Sequence, residues 1–183
     1  MLQGLQGYDI IGDVHGCFDE LVALLERLGY RKQSGVYRHP SRQAIFLGDL
    51  VDRGPKIRET LHLVQAMVER GSAQMVLGNH EINLVGYHTP APPESGREYI
   101  RERTERHSGQ LLQTLEQFSA YPHEMREFMQ WFLSLPLFLE FEHFRVAHAC
   151  WDQMLIDQFN ACYPSPVLNE QILRLTTDNT NLE

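Results

Sequence analysis

The apolar positions of this chain fall into two kinds of run that alternate. Tyr8-Asp9-Ile10-Ile11, Ala44-Ile45-Phe46-Leu47 and Gln74-Met75-Val76-Leu77 have the length and residue types of buried strands. Between the first two, Phe18, Leu21, Val22, Leu24, Leu25 and Leu28 recur at helical spacing and stop at Gly29, a residue suited to a C-terminal cap. Ile57, Leu61, Val64 and Val68 repeat the pattern over 56–70, before Gly71. This order predicts an α/β core, βαβαβ, with a largely parallel sheet flanked by helices. The intervening 31–42 stretch is polar, holds Gly35, Pro40 and Ser41, and predicts a loop or short hairpin.

The second half is less regular. A helix is expected from His80 to Val85, ending before Gly86, and then a proline-rich loop over 88–96. Residues 97–107 are dense in Arg and Glu, the pattern of an exposed helix with alternating charges. The competing expectation for that stretch is a lid whose arginines meet substrate phosphates. Helices are predicted over 111–118 and 123–134, a hairpin from 138–141 and 144–147, and a further helix over 151–159. No repeat or linker divides the chain, so residues 1–183 are expected to form one domain.

The strands share a way of ending. They run into Gly12-Asp13-Val14-His15-Gly16, Gly48-Asp49-Leu50-Val51-Asp52-Arg53-Gly54 and Gly78-Asn79-His80-Glu81, and Phe144-Arg145-Val146-Ala147 delivers His148 without a glycine. Parallel strands place such tips along one sheet edge, where ligands bind in open α/β folds. Asp13, His15 and Asp49 can hold one divalent ion there, and Asp49, Asn79 and His148 a second, with Asp49 shared. Two ions about 3.5–4 Å apart clamp a phosphoryl group and make a bridging hydroxide available near neutral pH. Oxygen and imidazole donors without thiolate suit Mn²⁺, Fe or Zn²⁺. His80 is placed to protonate a departing oxygen, Asp52 to fix its tautomer, and Arg53 to present a planar fork to phosphate oxygens.

Composition narrows the partners. A net charge of −8 argues against general nucleic-acid binding, though not against one phosphate held locally. No apolar run approaches a membrane span, and residues 1–7 lack the features of a signal peptide, so a cytoplasmic protein without membrane association is expected. Three cysteines without a C-x-x-C pair fit a reducing compartment. Cys17 and Cys150 each follow a suspected ligand by two positions and can lie near each other.

Together these motifs, with Val146-Ala147-His148-Ala149 and the Trp131-Phe132-Leu133-Ser134-Leu135-Pro136-Leu137-Phe138-Leu139 stretch before them, resemble the calcineurin-like metallophosphoesterases. Within them the match is to the phosphoprotein phosphatase branch. The resemblance implies a four-layer β-sandwich flanked by helices, a dinuclear metal centre and direct hydrolysis of phosphomonoesters without a phosphoenzyme. Phosphoserine or phosphothreonine in proteins is the substrate it suggests first. A small phosphoester such as diadenosine tetraphosphate, or a polynucleotide phosphate end, is the enzymatic alternative, because relatives share the Gly12-Asp13-Val14-His15-Gly16-Cys17 opening. A phosphate- or partner-binding module with impaired catalysis is the alternative from another class.

Two departures from the family pattern stand out. His148 is followed by Ala149-Cys150-Trp151 where the family carries small residues, which brings Trp151 toward the substrate. No histidine follows His148, whereas the family has a further histidine ligand downstream. With the terminal Leu182-Glu183, this predicts a catalytic domain lacking its C-terminal part.

Overall fold

The computed structural model describes residues 5–175; the terminal Leu182-Glu183 lies outside them. Strand β1 (Gly7–Ile11), β4 (Arg42–Phe46) and β5 (Ala73–Met75) form a parallel sheet in the order β1-β4-β5, with Ile11 opposite Phe46 and Phe46 opposite Met75. The strand with the acidic turn is therefore central, and all three glycine tips leave the sheet at one edge. Helix α1 (Phe18–Arg27) and α2 (Ile57–Glu69) make the two crossovers. The doubtful 31–42 segment is a hairpin, β2 (Arg31–Gln33) with β3 (Val36–Arg38).

The alternation of side chains along the strands sorts them onto two cores. Ile11, Ala44, Phe46 and Met75 face the helices and pack with Leu25, Leu61, Val64, Leu84 and Phe132. Ile45 and Val76 face the other way. They meet Val146 of a second hairpin, β6 (Phe138–Glu140) with β7 (Arg145–Ala147), assisted by Tyr8, Leu139, Phe141 and Phe144. A sheet with helices on one face and strands on the other is the expected sandwich of a metallophosphoesterase fold.

Several boundaries differ from the periodicity. Helix α3 runs from Asn79 to His88, through Gly86 rather than ending before it. Gly86 costs a helix only about 1 kcal/mol, and its bare face receives Ile100 and Arg101. The charge-dense 97–107 stretch is not a helix until Glu105, where α4 (Glu105–Phe118) begins, capped by the Thr104 hydroxyl. Before that point Pro90 bridges Tyr99, and the Arg103 guanidinium lies 3.5 Å from the Tyr99 ring centre and 4.8 Å from that of Tyr87. These tertiary contacts override the local charge pattern and hold the segment against α3.

Helix α5 (Pro122–Phe132) puts Phe128, Trp131 and Phe132 into the core, and α6 (Gln153–Cys162) and α7 (Glu170–Leu175) follow the second hairpin. Trp151 packs edge-on to Phe138 and donates its ring N–H to Gln153. All three cysteines are free. No helix among the described residues is long and apolar enough to cross a membrane.

Candidate metal centre and active site

Asp13, His15, Asp49, Asn79, His80 and His148 gather at the carboxyl edge of the sheet, although up to 135 residues separate them in sequence. Asp49 is central and almost fully buried. Its Oδ2 lies 3.8 Å from His15 Nε2, 3.9 Å from His80 Nε2 and 3.5 Å from His148 Nε2. His15 Nε2 is also 3.8 Å from Asp13 Oδ2, and His148 Nε2 is 3.0 Å from Asn79 Oδ1. Two overlapping donor sets result, His15 with Asp49 and His80, and Asp13 with Asp49 and His148. Asp49 belongs to both.

His80 thus comes within reach of the first set, a position for which the sequence offered no ligand role. Its Nδ1, however, is committed, donating to Asp52 Oδ2 at 2.6 Å. Arg53, exposed beside it, brings Nη2 to 3.4 Å from His80 Nε2.

The imidazoles are oriented for ligation. His15 Nδ1 donates to the Val51 carbonyl and His148 Nδ1 to the Leu47 carbonyl, each at 2.7 Å. Such bonds fix the tautomer and leave the Nε2 lone pair for a metal. His15 Nε2 is buried and has no hydrogen-bond partner among the described residues. A buried nitrogen acceptor surrounded by carboxylates and left unpaired fits a divalent cation, which would satisfy all of them together. The donors are oxygen and imidazole nitrogen, with no thiolate among them.

The backbone carries strain where these groups sit. His15, Asp49, Asp52 and Arg53 all adopt left-handed φ, between 46° and 68°. Non-glycine residues held so cost on the order of 1 kcal/mol or more each and concentrate at functional sites. Gly48 meets the same demand at φ 96°, and a Cβ there would run into the backbone of Gly78. The loops after β4 and β5 can touch only because both contribute glycine.

Two side chains that hold this geometry were given no structural role by the sequence, Glu81 being noted only as part of its motif. Glu81, fully buried on the first turn of α3, accepts from the backbone N–H groups of Asp49, Leu50, Val51 and Gly78. Burial pushes its carboxyl above the ordinary range, and the N–H groups of Asp49, Leu50 and Val51 oppose that. Its neighbour His80 had drawn attention, yet nothing in the spacing showed that Glu81 would staple the acidic turn. Thr114 of α4 is fully buried, donates its hydroxyl to Asp52 Oδ1 at 2.5 Å and accepts from the Asp52 N–H at 3.0 Å. It lies 62 residues from Asp52 in an amphipathic helix, and no local signal marks it.

The family profile described as calcineurin-like phosphoesterase matches residues 8–157. A bis(5′-nucleosyl)-tetraphosphatase PrpE (asymmetrical) of a Geobacillus species is 36% identical over 149 residues, 77% of this chain and 56% of that protein. The protein of the same name from Halalkalibacterium halodurans is 51% identical over 81 residues, 44% of this chain and 33% of its own length. The chain therefore spans about half the length of the Geobacillus relative, and a third of the other is matched. A solved cold-active protein-tyrosine phosphatase of a psychrophilic Shewanella species superimposes with a TM-score of 0.56 at 20% identity, covering 89% of this chain and 50% of that one. That last likeness concerns the fold.

Proposed function

Because the chain belongs to the calcineurin-like phosphoesterase family, we propose that residues 1–183 form one metallophosphoesterase domain that hydrolyses a dinucleoside tetraphosphate, with two divalent ions, Mn²⁺ foremost. The observation that carries the catalytic part is the convergence of His15, Asp49 and His148 on one point beside a His80–Asp52 pair. Asp13, His15 and Asp49 would hold one ion, and Asp49, Asn79 and His148 the other. Bound there, such ions supply Lewis acidity toward a phosphoryl oxygen and acidify a water.

The chain's own groups do the rest. Arg53, exposed on a rigid glycine-flanked turn, offers two parallel N–H donors to phosphate oxygens. Asn79 and His80 occupy the first turn of α3, whose positive end favours an anion. Asp52, buried and held by Thr114, keeps the proton of His80 on Nδ1 and leaves Nε2 facing the substrate side. With a second proton taken up at Nε2, the imidazolium, its charge facing the Asp52 carboxylate, can pass that proton to the departing oxygen and keep the one on Nδ1.

The tetraphosphate substrate is favoured over a phosphoprotein by the two relatives above, whose names specify bis(5′-nucleosyl) tetraphosphates. The phosphoserine or phosphothreonine reading, which those two names do not support, takes second place. The test compares rates on diadenosine tetraphosphate, a phosphothreonine peptide and p-nitrophenyl phosphate in Mn²⁺, with Asp49→Asn as control. Fastest turnover of the tetraphosphate, abolished in the control, is expected. A phosphopeptide turned over faster would refute the substrate assignment, and activity surviving in Asp49→Asn would refute the centre.

A further inference from the structure

The loop after α3 folds back along that helix. Ile100 N–H donates to the Thr89 carbonyl and Arg101 N–H to the Gly86 carbonyl, both at 3.0 Å. Arg101 is thereby fixed against the middle of α3, and its guanidinium reaches between two helices. Nη1 donates to Asn83 Oδ1 of α3, and Nη2 donates to Gln110 Oε1 of α4 at 2.6 Å.

Both partners are one turn away from groups already placed at the centre. Asn83 follows Asn79 by four residues, and Gln110 precedes Thr114, the residue that carries Asp52, by four. One turn of helix rises about 5.4 Å. The guanidinium therefore meets α3 and α4 about one turn along from Asn79 and from the Asp52–Thr114 contact, within electrostatic reach of Asp52.

Its surroundings are unusual for a structural arginine. Both contacts are neutral amide oxygens, and among the described residues no carboxylate lies within ion-pair distance. Nε is buried with no partner among the described residues. Asp52 acts on Arg101 through space, but both of its carboxylate oxygens are taken, Oδ2 by His80 and Oδ1 by Thr114. A partly desolvated cation without a contacting counter-charge is unfavourable on its own. It lines a cavity of about 240 Å³ between α3 and the 97–107 segment, with Asn83, Gly86, Arg97, Glu102 and His107; the Glu102 carboxylate lies 3.9 Å from the Arg97 guanidinium. That is room for a phosphate group and its waters, each water taking about 30 Å³, and not for a nucleotide.

We propose that this cavity is a second anion subsite, in which Arg101 holds a non-reacting phosphate of an extended polyphosphate. The phosphoryl group under attack then lies at Asn79, Arg53 and His80, about one helical turn along α3, a spacing wider than that of directly linked phosphates and matched by phosphates two apart in one chain. The subsite rests on the polyphosphate reading above and deepens it. It would separate polyphosphates from monoesters, which reach only the inner position.

The full chain is titrated calorimetrically with inorganic phosphate and with inorganic tripolyphosphate at fixed free Mn²⁺, as wild type, Arg101→Gln and Arg101→Lys. Circular dichroism checks that each variant is folded. The wild type is expected to bind tripolyphosphate at least tenfold more tightly than phosphate. Arg101→Gln removes that preference while phosphate affinity stays within twofold, and Arg101→Lys retains part of it. A wild type without preference, a preference that survives in Arg101→Gln, or equal weakening for both ligands would overturn the proposal; the last outcome makes Arg101 a support for Asp52. Tight, Arg101-dependent tripolyphosphate binding without turnover of diadenosine tetraphosphate leaves the subsite standing and refutes the substrate assignment alone.

Discussion

Glu81→Gln is the sharpest test of how the centre is held. Oε1 accepts from Leu50 and Val51 at 2.7 and 3.3 Å, and Oε2 from Asp49 and Gly78 at 2.8 and 3.1 Å. All four facing groups are donors. Exchanging one oxygen for NH₂ therefore sets a donor against two backbone N–H groups, whichever way the amide turns. Each buried N–H left unpaired costs about 1–3 kcal/mol, so the variant should lose about 2–6 kcal/mol. Against a typical total of about 5–15 kcal/mol, that is a large share. In urea, with an m-value of about 2 kcal/mol per molar, a 4 kcal/mol loss lowers the midpoint by about 2 M. Mn²⁺ affinity should fall in parallel, because Asp49 keeps its left-handed backbone only while its N–H is held. A midpoint shift below about 0.5 M would refute the reasoning. It would mean that Glu81 is bound as a neutral acid, for which glutamine is a fair copy.

Other expectations follow from the same contacts. Thr114→Val leaves the Asp52 N–H and one carboxylate oxygen without their partner, which at about 1–3 kcal/mol each should cost about 2–6 kcal/mol of stability and lower kcat by about tenfold to a hundredfold through misorientation of His80; denaturation and steady-state kinetics read the two separately. Titration of metal-free protein with Mn²⁺ should raise its melting temperature, with about 2.7 kcal/mol gained at a hundredfold excess over Kd, and His148→Ala should remove one of two calorimetric binding events. Glu124 is held below the ordinary carboxylate value of 4.5 by its hydrogen bond from Arg58. Its stabilising effect is thus complete above that value and is lost as pH falls through the lowered one, and the acid side of the urea midpoint against pH should flatten in Arg58→Met.

The residues proposed to supply the chemistry were legible because they are local words. Gly48-Asp49 and Gly78-Asn79 each pair a strand end with a donor, and a glycine beside an acid after an apolar run is visible without any partner. The hairpin that delivers His148 was legible for the same reason. Glu81 and Thr114 were not, since a glutamate in the first turn of a helix and a threonine on a helix face are ordinary until their partners, 30 to 62 residues away, are known. The 97–107 stretch misled because its charges match a solvent-exposed helix, whereas Arg103 stacks on Tyr87 and Tyr99 and Arg101 turns inward.

The sequence alone determined the order of strands and helices, since periods of two and of 3.6 residues are properties of the backbone. Parallel connection then set the edge at which Asp13, Asp49 and Asn79 must emerge. Only the tertiary structure decided that Asp49 stands between three histidines, that His15 Nε2 has no hydrogen-bond partner among the described residues, and that an arginine from a loop ties α3 to α4. Those facts depend on the approach of segments distant in sequence, and no local pattern encodes the approach. It is set by the packing of Ile45 and Val76 against Val146 on one face of the sheet and of the helices on the other.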